Sequence, residues 1–115
     1  MTTILISEIC PFALAEEDGK KVYDAIDNAL ENNNEICVDF NHISLFATPF
    51  FNTSLGAIIL KYGVEKFDAM VEIKNLDALG EETYQHSRNN AIVFLKNKIN
   101  RDNIADIVER NLQGD

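Results

Sequence analysis

VDFNHISLFATPFFNTSLG, residues 38–56, reads as the end of a buried strand, a short apolar loop and the first turns of a helix. Asp39 and Phe40 close the strand, and Thr48-Pro49 supplies the residue pair favoured at a helix start, a capping oxygen followed by proline. Thr48 is therefore expected to cap the helix by accepting a hydrogen bond from the N–H of Phe50 or Phe51. A hydroxyl at a helix N-terminus is also a place where phosphate is tolerated, because free N–H groups and the positive dipole end favour negative charge. The cap and the phosphoacceptor are the two readings of Thr48.

Outward from this stretch the pattern alternates strand and helix. Ile36, Cys37, Val38 and Phe40 are nearly continuous apolar residues, as in a strand covered on both faces and placed centrally. A helix from Pro49 sets Phe51, Leu55, Ile58, Ile59 and Tyr62 on one face, with Gly63 as its stop. Gly56 inside it predicts close approach to the sheet or to a partner.

Upstream, TILISEIC (residues 3–10) is β-branched and apolar and ends at Pro11, predicting a strand. Val22, Tyr23, Ile26, Ala29 and Leu30 recur at helical spacing over residues 16–32, opposite Lys20, Lys21, Asp24, Asp27 and Glu31. Asn32, Asn33 and Asn34 end that helix. Downstream, residues 69–75 alternate as a strand that either has one wet face or lies toward an edge. A third helix runs from about Leu79 or Glu81 to Lys96 on Tyr84, Ala91, Ile92 and Leu95; residues 91–95 alone also suit a short strand. Ile104, Ile107, Val108 and Leu112 predict a fourth helix that closes the domain. The expected fold is α/β, a single domain over residues 1–115 with a sheet of parallel or mixed strands covered by about four helices. Functional groups then gather at the carboxyl ends of the strands.

Composition limits the function. The 115 residues are 46% hydrophobic and carry a net charge of −9, so one core is affordable and the basic surface of a nucleic-acid binder is missing. Anionic membranes would repel the chain, no apolar run reaches the roughly 20 residues of a membrane span, and no basic n-region precedes an apolar segment. A cytoplasmic protein is expected. Cys10 and Cys37 read as free buried thiols, and Ala13 stands where a thioredoxin-like motif would carry its resolving cysteine. His42 and His86 lack partners at metal-ligand spacing. Thr53 and Ser54 lack the flanking glycines of a nucleophile elbow, and no glycine-rich phosphate loop occurs. No catalytic residue, metal or cofactor is expected, and the protein reads as non-enzymatic. Phe46 and Phe50, beside Thr48, are expected either to be exposed partner anchors or to plug the gap between helix and sheet.

The motifs Asp39-Phe40-Asn41-His42-Ile43, Thr48-Pro49-Phe50-Phe51-Asn52 and Asn75-Leu76 resemble those of a STAS-like family of unknown function found in bacteria. The likeness extends over roughly residues 18–91, including Asp18-Gly19-Lys20-Lys21. The family is related to the STAS domains of sulfate transporter tails and anti-sigma-factor antagonists. In that alignment Thr48 takes the place of the antagonists' phosphorylatable hydroxyl. Ala47 stands where they carry an acidic residue, and Pro49-Phe50 where they carry a small pair. The resemblance implies a protein-interaction surface made of Ser44, Phe46, Ala47, Thr48, Pro49, Phe50, Asn52 and Thr53. It also implies a partner of the ATP-binding histidine-kinase-like class that phosphorylates Thr48. The alternatives are a constitutive structural subunit or homodimer without phospho-switching, and a domain binding a small ligand such as a nucleotide.

Overall fold

The computed structural model describes the backbone of residues 1–113 and the side chains of residues 1–98. Three strands, β1 (Thr2–Leu5), β2 (Ile36–Asp39) and β3 (Val71–Lys74), form one parallel sheet in the order β1-β2-β3. Ile4 faces Val38, which faces Ile73 on the other side. The central position of β2 follows from its composition: Ile36, Cys37 and Val38 are all buried, as a strand covered on both faces requires. β3 alternates buried Val71 and half-buried Ile73 with exposed Glu72 and Lys74, and these charges blunt a sheet edge.

β1 is shorter than expected. It ends at Leu5, and residues 6–9 form a single helical turn, α1 (Ile6–Ile9). Leu5 pairs with Asp39, the last residue of β2, so a longer strand would have no ladder partner. The turn instead buries Ile6 and Cys10.

α2 (Glu16–Glu31) has the expected limits and buries Val22, Ile26, Ala29 and Leu30. It ends in a Schellman closure, with the Asn34 N–H donating to the Ala29 carbonyl and the Asn33 N–H to that of Leu30. Asn33 takes the left-handed conformation at φ 59°, which asparagine tolerates.

The helix expected from Pro49 to Tyr62 is two helices, α3 (Thr48–Thr53) and α4 (Leu55–Tyr62), broken at Ser54. The buried Ser54 hydroxyl donates to the Phe50 carbonyl at 2.8 Å, and the Thr53 hydroxyl donates to Pro49 at 2.9 Å. Side chains that seize helical carbonyls compete with the backbone ladder and bend helices. The apolar face survives the break, since Phe51, Leu55, Ile58 and Ile59 are all buried. Gly63, at φ 88°, ends α4 and opens α5 (Val64–Met70).

α5 was not foreseen: residues 69 and 70 belong to it and not to β3. Its signal is the spacing of Val64, Phe67 and Met70, of which Phe67 is buried and the other two half-buried. The two helices expected beyond residue 79 are one, α6 (Ala78–Gln113), and residues 91–95 are helical. Asp77 caps it, accepting from the Gly80 N–H at 2.8 Å. Tyr84, Ser87 and Ala91 are buried on the core side. The packing expected of Ile104, Ile107, Val108 and Leu112 lies outside the described side chains. Instead of about four helices, six helical segments accompany the sheet among the described residues.

Polar ties join these layers. Asp27 on α2 accepts from Lys61 Nζ at 2.7 Å and from the Tyr62 hydroxyl at 2.6 Å, fastening α2 to the end of α4. The tyrosine hydroxyl is pushed up to about 12, first by donating to that carboxylate. Arg88 on α6 forks onto Asp68 of α5 with two 2.8 Å bonds. Among the described residues no helix is long and apolar enough to cross a membrane.

Candidate partner-binding surface at the carboxyl edge of the sheet

In a parallel sheet every strand ends on one edge, and the segments that follow β2 and β3 meet there. Asp39 organises this edge. One of its carboxylate oxygens accepts from Asn75 Nδ2 at 2.7 Å and from the Asn41 N–H at 2.9 Å, tying the end of β2 to the residue after β3. The Phe40 N–H continues the ladder onto the Lys74 carbonyl. His42 and Asn75 are left-handed at φ 69° and 64°, a conformation both residue types adopt more readily than most. The Asp39-Phe40 and Asn75-Leu76 motifs thus have a shared structural purpose: a carboxylate and an amide lock two strand ends in register.

The Asn75 amide, then the Asn41 N–H, hold the Asp39 carboxyl below its ordinary 3.8. A depressed carboxyl contributes stability that is fully present above its unfolded value and is lost as pH falls through the folded one. Stability is therefore expected to drop below about pH 4. In Asp39→Asn, denaturant midpoints measured between pH 6 and pH 2 should fall less steeply than in the wild type. Equal slopes would remove Asp39 from the acid response.

The chain then crosses to α3 through a small parallel bridge. Ala13 pairs with Phe46, the Ala13 N–H donating to Leu45 O at 3.0 Å and the Ala47 N–H to Ala13 O at 2.8 Å. Ala47, extended at φ −145°, is the N-cap of α3, and no side chain caps the helix. Thr48 is already inside the first turn with Pro49 behind it, so the expected Thr48 cap is absent. The bridge on the Ala47 N–H fixes the helix start one residue earlier than the Thr-Pro pair suggested. The Thr48 side chain is half-exposed and lines an open cleft between α3 and α6 with Glu82, Thr83, Gln85, His86 and Leu79.

The other residues of the expected surface divide. Ser44, Pro49 and Asn52 are exposed; Phe46, Ala47 and Thr53 are half-buried; Phe50 is fully buried. Phe50 is no exposed anchor: α3 is pressed between α2 and α6, so two of its faces are covered. Its ring meets Phe51 at 5.4 Å and Phe40 at 6.4 Å between centroids, both edge-on. Phe46 stacks on Phe51, 6.1 Å away at 12°, and abuts Gly80. The plug reading of both aromatics holds. Thr53 faces α2, donating also toward Glu16 O at 3.2 Å, and Asn52 accepts from the buried Ser87 hydroxyl at 2.6 Å. Gly56 lies against that hydroxyl, so its close approach is to α6.

Three surface residues escaped the sequence reading. The Ala13–Phe46 bridge turns Ala13 inward, and the alternation of extended chain places Phe12, Leu14 and Leu45 outward; all three are exposed. The signal was the alternation Phe12-Ala13-Leu14, too short to be read as a strand. Cys10 and Cys37 are free and buried, and burial raises both thiols above their usual value, which keeps them protonated. Among the described residues no group of three or more His, Cys, Asp or Glu is placed to hold a metal ion.

A small parallel sheet whose loops and helix starts carry the accessible polar groups at one edge defines a STAS-like α/β domain. The chain belongs to the family of the STAS-like domain of unknown function (DUF4325), which matches residues 18–81, from the first turn of α2 to that of α6. No curated protein and no solved structure matches it.

Proposed function

We propose that the protein is a non-enzymatic interaction module that binds a protein partner through the exposed parts of residues 44–53, with Thr48 as the switch. The observation that carries this reading is that the hydroxyl of Thr48 stands half-exposed in an open cleft and is spent on no cap. A phosphoryl group there would add nearly two negative charges opposite Glu82. Burying that doubly charged group beneath apolar side chains of a partner seated across the α3–α6 cleft, beside Leu79, would carry a desolvation cost that disfavours binding. The kinship with antagonist domains favours an ATP-binding partner of the histidine-kinase-like class. Asn52 and Thr53 serve mainly to hold α3 against α6 and α2, which leaves Ser44, Ala47, Thr48 and Pro49 to meet the partner.

A photo-crosslinking residue at exposed Ser44, introduced in the source cells, is expected to capture one protein partner. Thr48→Glu should weaken its binding by at least roughly tenfold, while Thr48→Ser keeps it. Equal capture by the glutamate variant would contradict the switch. A second reading, a constitutive subunit or homodimer, is favoured by Val93 and Phe94, both more than half exposed on α6. It predicts a stable oligomer at low protein concentration and no modified Thr48. A nucleotide-binding role draws on analogy of fold alone.

A further inference from the structure

We propose that the partner segment received at this edge is a cationic amphipathic peptide, its apolar residues resting on Phe12, Leu14 and Leu45 and its lysines or arginines meeting a rim of carboxylates. This rests on the interaction reading above and names the chemistry of the occupant.

The Ala13–Phe46 bridge makes an apolar ledge. Phe12, Leu14 and Leu45 are 46%, 39% and 47% exposed although the chain pairing that carries them is fully hydrogen-bonded. The ledge adjoins Ala47, the N-cap of α3, and therefore Thr48. Leu79, 55% exposed, stands across the Thr48 cleft. Large apolar side chains gathered on the outward side of one short bridge are what an interface core needs, and single scattered ones would carry no such meaning.

The elements next to the ledge carry the charge. Glu16 and Glu17, both exposed, open α2 two residues beyond Leu14, and Glu8 is exposed on α1. Exposed Glu81 and Glu82 lie at the start of α6 by Leu79, with Glu82 lining the Thr48 cleft. The cations on the framing elements are fewer: Lys20 and Lys21 lie one turn further along α2, with Lys21 paired to Asp18 at 3.6 Å, and Lys74 lies near Glu72 at 4.0 Å. A chain of net charge −9 with this local excess of carboxylates attracts a basic segment and repels an acidic one.

The test uses the full chain and two synthetic probes, an amphipathic helix of leucine and lysine and its leucine–glutamate counterpart, in calorimetry at low and physiological salt. The leucine–lysine peptide is expected to bind and the leucine–glutamate peptide to fail. Phe12→Ser/Leu45→Ser should weaken binding by at least roughly tenfold. Glu16→Lys/Glu17→Lys should weaken it too and flatten its salt dependence. The proposal is overturned if both variants bind as the wild type does, which would mean diffuse charge attraction, or if no peptide binds. It is equally overturned if the wild type is a dimer that Phe12→Ser/Leu45→Ser dissociates, since the ledge would then belong to a second copy. A Ser44 crosslink that survives Phe12→Ser/Leu45→Ser leaves the interaction surface standing and removes only the cationic occupant. Loss of every Ser44 adduct in the wild type removes both readings.

Discussion

Phe51→Ala is expected to cost about 3–5 kcal/mol, a large fraction of the stability of a domain of this kind. Phe51 is the hub of the core at the carboxyl edge. Its ring lies 5.7 Å from Phe40, 6.1 Å from Phe46, 5.4 Å from Phe50 and 6.0 Å from Tyr84. One truncation therefore opens a void bordered by β2, the bridge, α3 and α6 together. The surrounding rings are held by the sheet and by α6, so collapse into the void is limited and the cavity contribution persists. Urea denaturation followed by circular dichroism measures the effect. A loss below about 1 kcal/mol, the range of a surface substitution, would show that the aromatic cluster is not the centre of the fold.

Gly19→Ala is the second large effect, from the opposite cause. A Cβ at Gly19 would stand 2.6 Å from the Phe50 carbonyl and closer still to the Thr53 hydroxyl. The Phe50 carbonyl already accepts from the Ser54 hydroxyl at 2.8 Å, and backbone cannot turn aside as a side chain can. α3 would have to move off α2, carrying Thr48 with it. Overpacking of this kind costs roughly 1–3 kcal/mol, and here it outweighs the several tenths that alanine gains over glycine in a helix. A fall of roughly 5–20 °C in the thermal midpoint follows for a domain of this size. Gly19→Ala/Thr53→Ala should recover part of it by removing the hydroxyl contact. A midpoint at or above the wild-type value in the single variant would mean that α2 and α3 are not in close contact.

The sheet and its order were readable because they depend on burial alone: an apolar β2 between two flanked strands has few alternatives. The helix starts were harder. Thr48-Pro49 carries the favoured cap pair, yet a hydrogen bond from residue 47 to a segment more than thirty positions earlier decides where α3 begins. Ser54 breaks the helix through its own hydroxyl, an outcome that spacing cannot express because Phe51, Leu55 and Ile58 stay on one face across the break. α5 was hidden in the run between Gly63 and β3, where three apolar residues spaced by three are too few to outweigh a strand-like continuation. The position of the candidate site followed from parallel topology, whereas its composition did not. Phe50 proved buried because α3 is covered on two sides, and Phe12 and Leu14 came to the surface only through their pairing with residues 45–47.

Peptide mass spectrometry of the protein taken gently from its own cells, together with the protein that accompanies it, tests the central claim most directly. Phosphate on Thr48 in the free protein, with the unmodified form held by the partner, is the predicted result. An unmodified Thr48 throughout, in a complex that Thr48→Glu does not loosen, would contradict the switch and leave a fixed interaction subunit.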